Sequence, residues 1–161
     1  MERKSSGIVA IVVFLLVIGV IFLTQSPVKR DLRTLSKDIQ ILNDNYKVIS
    51  AEFGKWKGFT QVSDIRNSLD NTILPKLDNS LETINNTKLK TSEVIALRQQ
   101  YVDSLEAYRM GADTMLKAVE LNDKKKLDEA EAYFQQAEAG IKAFNATYKK
   151  LAEENGLRVV E

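Results

Sequence analysis

The side chains that most often carry out chemistry are missing from this 161-residue chain, which has no His and no Cys. Without imidazole, the commonest general base and the commonest metal ligand are gone. Without thiols there can be no disulfide, no thiolate metal site and no lipid-bearing cysteine anchor. Carboxylates, lysines and tyrosines remain. Asp128, Glu129, Glu131 and Glu138 gather near the end of the chain. Carboxylate-bridged metal sites in helical bundles combine Glu with Glu-x-x-His on facing helices, a set this chain cannot supply. The four acids also fall mostly outside the apolar seam of their helix, as a solvated face does. No Gly-rich phosphate loop occurs, and no spacing of Lys or Tyr points to an enzyme. The expectation is a protein without catalysis, cofactor or metal.

Two aromatic groups could serve binding instead. Tyr101, Tyr108, Tyr133 and Tyr148 lie in the last two helical segments, beside small Ala and Gly residues. They either line an internal cleft or form core with the hydroxyl reaching water. Trp56, the only Trp, stands between Lys55 and Lys57. If the helices alternate in direction, Lys124, Lys125 and Lys126 come to the same tip. An exposed Trp among cations is a contact patch for an anionic polymer or a protein partner. The plainer alternative has the ring folded onto the bundle end with the lysines solvated.

The elements that position these residues follow from apolar spacing. Ser26-Pro27 interrupts an apolar run, and a first helix restarts near Asp31, an acid suited to a first turn. Leu32, Leu35, Ile39, Leu42, Tyr46, Ile49 and Phe53 alternate intervals of three and four, a narrow coiled-coil seam. Gly54 should end it. A second helix spans about Thr60 to Asn85, with Val62, Ile65, Leu69, Ile73, Leu77, Leu81 and Ile84 drifting to intervals of four. Pro75 must kink or split that helix; the continuing register favours a kink. Thr91 or Ser92 caps a third helix faced by Val94, Leu97, Tyr101, Leu105, Tyr108, Ala112, Met115 and Val119. Gly111 inside it implies a close helix approach. After a turn at Leu121-Asn122-Asp123, Leu127, Ala130, Phe134, Ala137, Ile141, Phe144, Tyr148 and Leu151 repeat the strict alternation. Asn155-Gly156 is a helix stop. The fold expected is all-α, an up-down-up-down four-helix bundle over residues 28–156 with a short 157–161 tail.

Before the bundle runs Ile8 to Leu23, sixteen residues without a charge. Ile8, Val13, Phe14, Leu15, Leu16, Ile21, Phe22 and Leu23 carry its hydrophobicity. With Gly7 and Thr24 it makes a helix of roughly 27 Å, short but sufficient for a hydrocarbon core of about 30 Å. Residues 1–27 are therefore expected to form an amino-terminal transmembrane helix. The best small-x-small site after it, Thr24-Gln25-Ser26, precedes Pro27 directly, so an uncleaved signal-anchor is favoured over a secretory leader. Arg3 and Lys4 precede the span while Lys29, Arg30, Arg33 and Lys37 follow it, a balance that by count opposes export. A very short basic amino terminus usually stays inside, and the bundle is placed outside the membrane on that ground. Processing after Gly7 would make a pilin-like filament subunit, but the fifth mature residue is then Val12 rather than the usual Glu.

The second half is similar to the helical hairpin of small anchored surface proteins and lipoproteins of Gram-positive bacteria. The likeness runs from Tyr101-Val102-Asp103-Ser104-Leu105 through Ala118, Leu127, Ala130-Glu131-Ala132, Asn145, Tyr148 and Leu151 to Asn155-Gly156. It implies an envelope location more than a role. A formal net charge of +1 gives no reason to expect nucleic acid. The partners expected are the membrane and another envelope protein or a second copy, the latter through the Leu32–Phe53 seam. The competing function is a sensor-type bundle that takes a small ligand; such receptors usually add a second span and an output domain.

Overall fold

A computed structural model describes residues 26–56 and 61–158. The expected membrane segment, including Ile8, Val13, Phe14, Leu15, Leu16, Ile21, Phe22 and Leu23, lies outside the described residues, as does Lys57. Among the described residues every regular element is helical, and no helix is long and apolar enough to cross a membrane. Four helices follow one another. Helix α1 is Pro27–Lys55. Helix α2 runs through Val62–Ser68, a π-helical stretch Leu69–Ile73, and Leu74–Asn85. Helix α3 is Ser92–Leu121 and helix α4 is Lys124–Glu154.

Cross-helix pairs establish the topology. Asn45 on α1 donates to Asn79 and Ser80 on α2, while Trp56 meets Ser68, so those helices run antiparallel. Arg109 pairs with Asp78 and Arg66 with Glu120, which sets α3 antiparallel to α2. Tyr101 packs on Phe144 while Phe134 lies over Gly111, so α4 reverses again. Helix α1 is parallel to α3 across the core, with Tyr46 edge-on to Tyr108. The order is up, down, up, down.

The α1 seam is buried from Leu32 to Phe53, none of its seven apolar residues more than 8% exposed. It is consumed inside the bundle, so a homodimer through it would require the bundle to open. Helix α3 buries Val102, Ala107 and Ala118 besides its expected face, because α1, α2 and α4 all pack around it. Its junction with α4 is the closest. A Cβ on Gly140 would come 2.3 Å from the Ser104 hydroxyl and 3.7 Å from that residue's Cα. Gly111 instead makes room for a ring, since its Cβ would meet Phe134 at 2.7 Å.

Four local features depart from the sequence expectation. Ser26 caps α1, its hydroxyl accepting from the Lys29 amide, with Pro27 in the first turn. The helix thus begins four residues before Asp31. Asp31 is not a first-turn acid but a buried one, only 2% exposed, whose carboxylate accepts from the Lys90 and Thr91 amides and the Thr91 hydroxyl. It satisfies orphan donors where the chain enters α3. Helix α1 also continues past Gly54 to Lys55. At Pro75 the helix neither stops nor remains plain α: the Leu74 amide donates to the Leu69 carbonyl, one residue further back than in an α-helix. That wider turn lies just upstream of the ring that cannot donate and that crowds the preceding carbonyls. The carboxyl end follows expectation, with Asn155 as the cap and Gly156 at φ +64°. Leu157 then packs back, 3% exposed.

Candidate functional site

The bundle has two ends. One gathers Ser26, the Asn86–Thr91 connection and Gly156; the other gathers Trp56, Val62 and the Asn122-Asp123 turn. Asn122 adopts the left-handed conformation, φ 51°, and Asp123 caps α4 by accepting from the Lys125 and Lys126 amides. This two-residue reversal brings the end of α3 and the start of α4 beside the end of α1.

There the four helices surround a cavity of about 430 Å³. Phe53 and Trp56 come from α1, Val62 and Ile65 from α2, and Met115, Ala118 and Val119 from α3. Helix α4 supplies Leu127 and Phe134 together with Asp128, Glu131, Gln135 and Glu138, and Asn122 completes the lining. Volume and composition are those of a small-molecule pocket, apolar and aromatic with a few polar groups at its margin. Asp128 and Glu131 are exposed, and Glu138 is half-buried. The amide of Gln135 reaches Glu131 at 3.4 Å.

Trp56 is not exposed. Its ring lies edge-on to Phe53 at 4.7 Å, 6% of the residue is accessible, and its indole N–H donates to Ser68 Oγ at 3.1 Å. Ser68 in turn donates to Glu52, which pairs with Lys55. The Lys55 ammonium lowers the Glu52 carboxyl, the Ser68 hydroxyl adding to it against the cost of burial. Lys124 and Lys125 are exposed and Lys126 is half-buried, all in the first turn of α4 outside the cavity lining. Lys55, Lys124 and Lys125 thus share an end with Trp56 but do not frame an exposed indole.

The tyrosines divide. Tyr101, Tyr108 and Tyr148 are core, and Tyr133 is half-buried. Burial pushes the Tyr148 hydroxyl up to about 12; it donates to the Leu32 carbonyl at 3.4 Å. The buried hydroxyls of Tyr46 and Tyr101 lie against each other, and that of Tyr108 has no hydrogen-bond partner among the described residues. Burial raises all three, and the Glu138 carboxylate raises Tyr108 further. Among the described residues no three carboxylates come together as metal ligands would.

The cavity was not foreseen from the sequence. Its wall residues, Phe53, Ile65, Met115, Val119 and Phe134, sit at seam positions and are indistinguishable there from closed core. Val62 and Leu127 at its rim stand 58% and 38% exposed, yet in the sequence they occupy the same apolar register as the buried faces, so no signal there marks an unclosed end. No protein-family model, curated protein or solved structure matches the chain.

Proposed function

We propose that this protein is a non-catalytic, membrane-anchored helical bundle that acts in the cell envelope by binding through its Asn122 end. One observation carries the reading. Among the described residues the end furthest from residue 26 is the end left open, with Val62 and Leu127 exposed around it. The sixteen uncharged residues from Ile8 to Leu23 support the anchor. The likeness of the second half to anchored Gram-positive surface proteins and lipoproteins supports an extracytoplasmic location. Occupation of the seam by the protein's own core takes it out of reach of another envelope protein or a second copy.

The absence of native Cys makes a direct test possible. A Lys125→Cys variant in intact cells should react with a membrane-impermeant thiol reagent and sediment with membranes. Labelling only after lysis, or recovery of a trimmed chain from the medium, would refute the anchored, exported bundle. A photo-crosslinker at Leu121 should capture an envelope protein that one at Lys150, near the opposite end, does not; equal capture removes the Asn122 end as the contact.

The second reading is a sensor-type bundle taking a small ligand. The 430 Å³ cavity favours it.

A further inference from the structure

The cavity differs from a simple packing defect in its charge. Among the described residues, every titratable side chain that lines it is a carboxylate: Asp128, Glu131 and Glu138. Neither Asp128 nor Glu138 has an ion-pair partner among the described residues. Glu138 is half-buried beside the apolar wall and Asp128 stands at its margin, both placed to pair with a cation supplied from outside. The acids do not converge. Positions 128 and 138 are ten residues apart on one helix, about 15 Å along its axis, and no three-carboxylate cluster fit for a metal ion exists among the described residues. A compact inorganic cation matches neither that spread nor the Phe53, Trp56 and Phe134 rings. A cation with an apolar body matches both, since aromatic faces attract ammonium groups as well as hydrocarbon.

We infer that the cleft at the Asn122 end binds an organic ammonium compound with an aryl or alkyl body. The body lies against Trp56, Phe134 and Met115, and the charge faces Glu138 or Asp128. This inference rests on the sensor reading above and gives it a ligand class.

Trp56 is the only Trp in the chain and lines the cleft, so its emission reports occupancy directly. The full chain in phosphatidylcholine vesicles is titrated with 4-phenylbutylamine, 4-phenylbutanol and 4-phenylbutyrate, which share a body and differ in charge. The amine should give a saturable change at about tenfold lower concentration than the alcohol, and the carboxylate none. Combined Asp128→Asn and Glu138→Gln substitution should bring the amine to the level of the alcohol and leave the alcohol where it was. A misfolded variant would lose both, and its circular dichroism would show it. No saturable amine signal from the folded protein, or equal binding of all three probes, overturns the inference. Equal saturable binding of all three probes removes only the ammonium class and leaves a small-ligand bundle standing; no saturable signal from any of them removes the sensor reading as well.

Discussion

At the Ser26 end of the bundle a carboxylate is buried and gathers three hydrogen bonds on one oxygen; at the Asn122 end Asp128 and Glu138 border an opening without an ion-pair partner among the described residues. Asp31 arrives from α1, crosses to the start of α3 and takes three hydrogen bonds. Thr87 in the same connection donates to Asp38 at 2.7 Å, and Tyr148 and Leu157 seal the remaining gap. At the other end Glu52 and Ser68 hold Trp56, but Phe134, Met115 and Val119 face a void rather than one another. One end is built for order and the other leaves room. A bundle held shut at one end can keep an opening at the other without losing its core, because closure and opening draw on different contacts.

The sharpest way to break this contrast is Asp31→Ala. It strips partners from two amides and a hydroxyl at once, and a loss of about 3 kcal/mol is expected in denaturant unfolding. Burial alone would raise the Asp31 carboxyl; its hydrogen bonds from Lys90 and Thr91, with the Arg30 charge, outweigh that and hold it below the ordinary aspartate value. The native value is the lower one, so its stabilisation is complete above the ordinary value and fades as pH falls through the native one. Melting temperatures followed from neutral to acid pH should therefore drop more steeply for wild type than for Asp31→Asn. Parallel curves would mean the carboxylate does not close this end.

Between the two ends, α3 and α4 test the gradient in packing. Gly140→Val pushes branched methyls into Ser104 where the helices are closest, and should cost about 2 kcal/mol. Gly111→Ala meets only the Phe134 ring, which has the cavity to swing into, and helix propensity favours Ala by about 1 kcal/mol. It should stay within about 1 kcal/mol of wild type. Similar losses from the two would erase the distinction. A similarly small effect is expected from Trp56→Phe, which removes the indole hydrogen bond to Ser68 beside space already empty. About 1 kcal/mol is expected from the same unfolding measurement.

How far the sequence disclosed this molecule depends on whether a contact is periodic. The seam from Leu32 to Phe53 and the α4 face from Ala130 to Tyr148 could be read because burial on one side of a helix imposes a period. Asp31 could not be read correctly. Its partners lie 59 and 60 residues away, so in the sequence it resembles any acid near a helix start. Gly111 was rightly a point of close approach, but what approaches is a ring. Gly140, where the helices themselves come closest, gave no signal inside a segment rich in small residues. The cavity was invisible for a related reason: the same apolar residue lines a void or fills one, depending on how far its neighbour stands away.

The π-turn at Leu69–Ile73 bears on how this chain can vary in length. It holds one residue more than an α-helix needs to bring Leu69 and Leu77 to the same side. A segment one residue shorter, run as uninterrupted α-helix and freed of Pro75, would still turn Leu77, Ser80 and Ile84 inward. Loss of a single residue, which elsewhere in α1, α3 or α4 rotates everything downstream out of the core, is there taken up by return of the π-turn to plain α-helix once Pro75 is replaced.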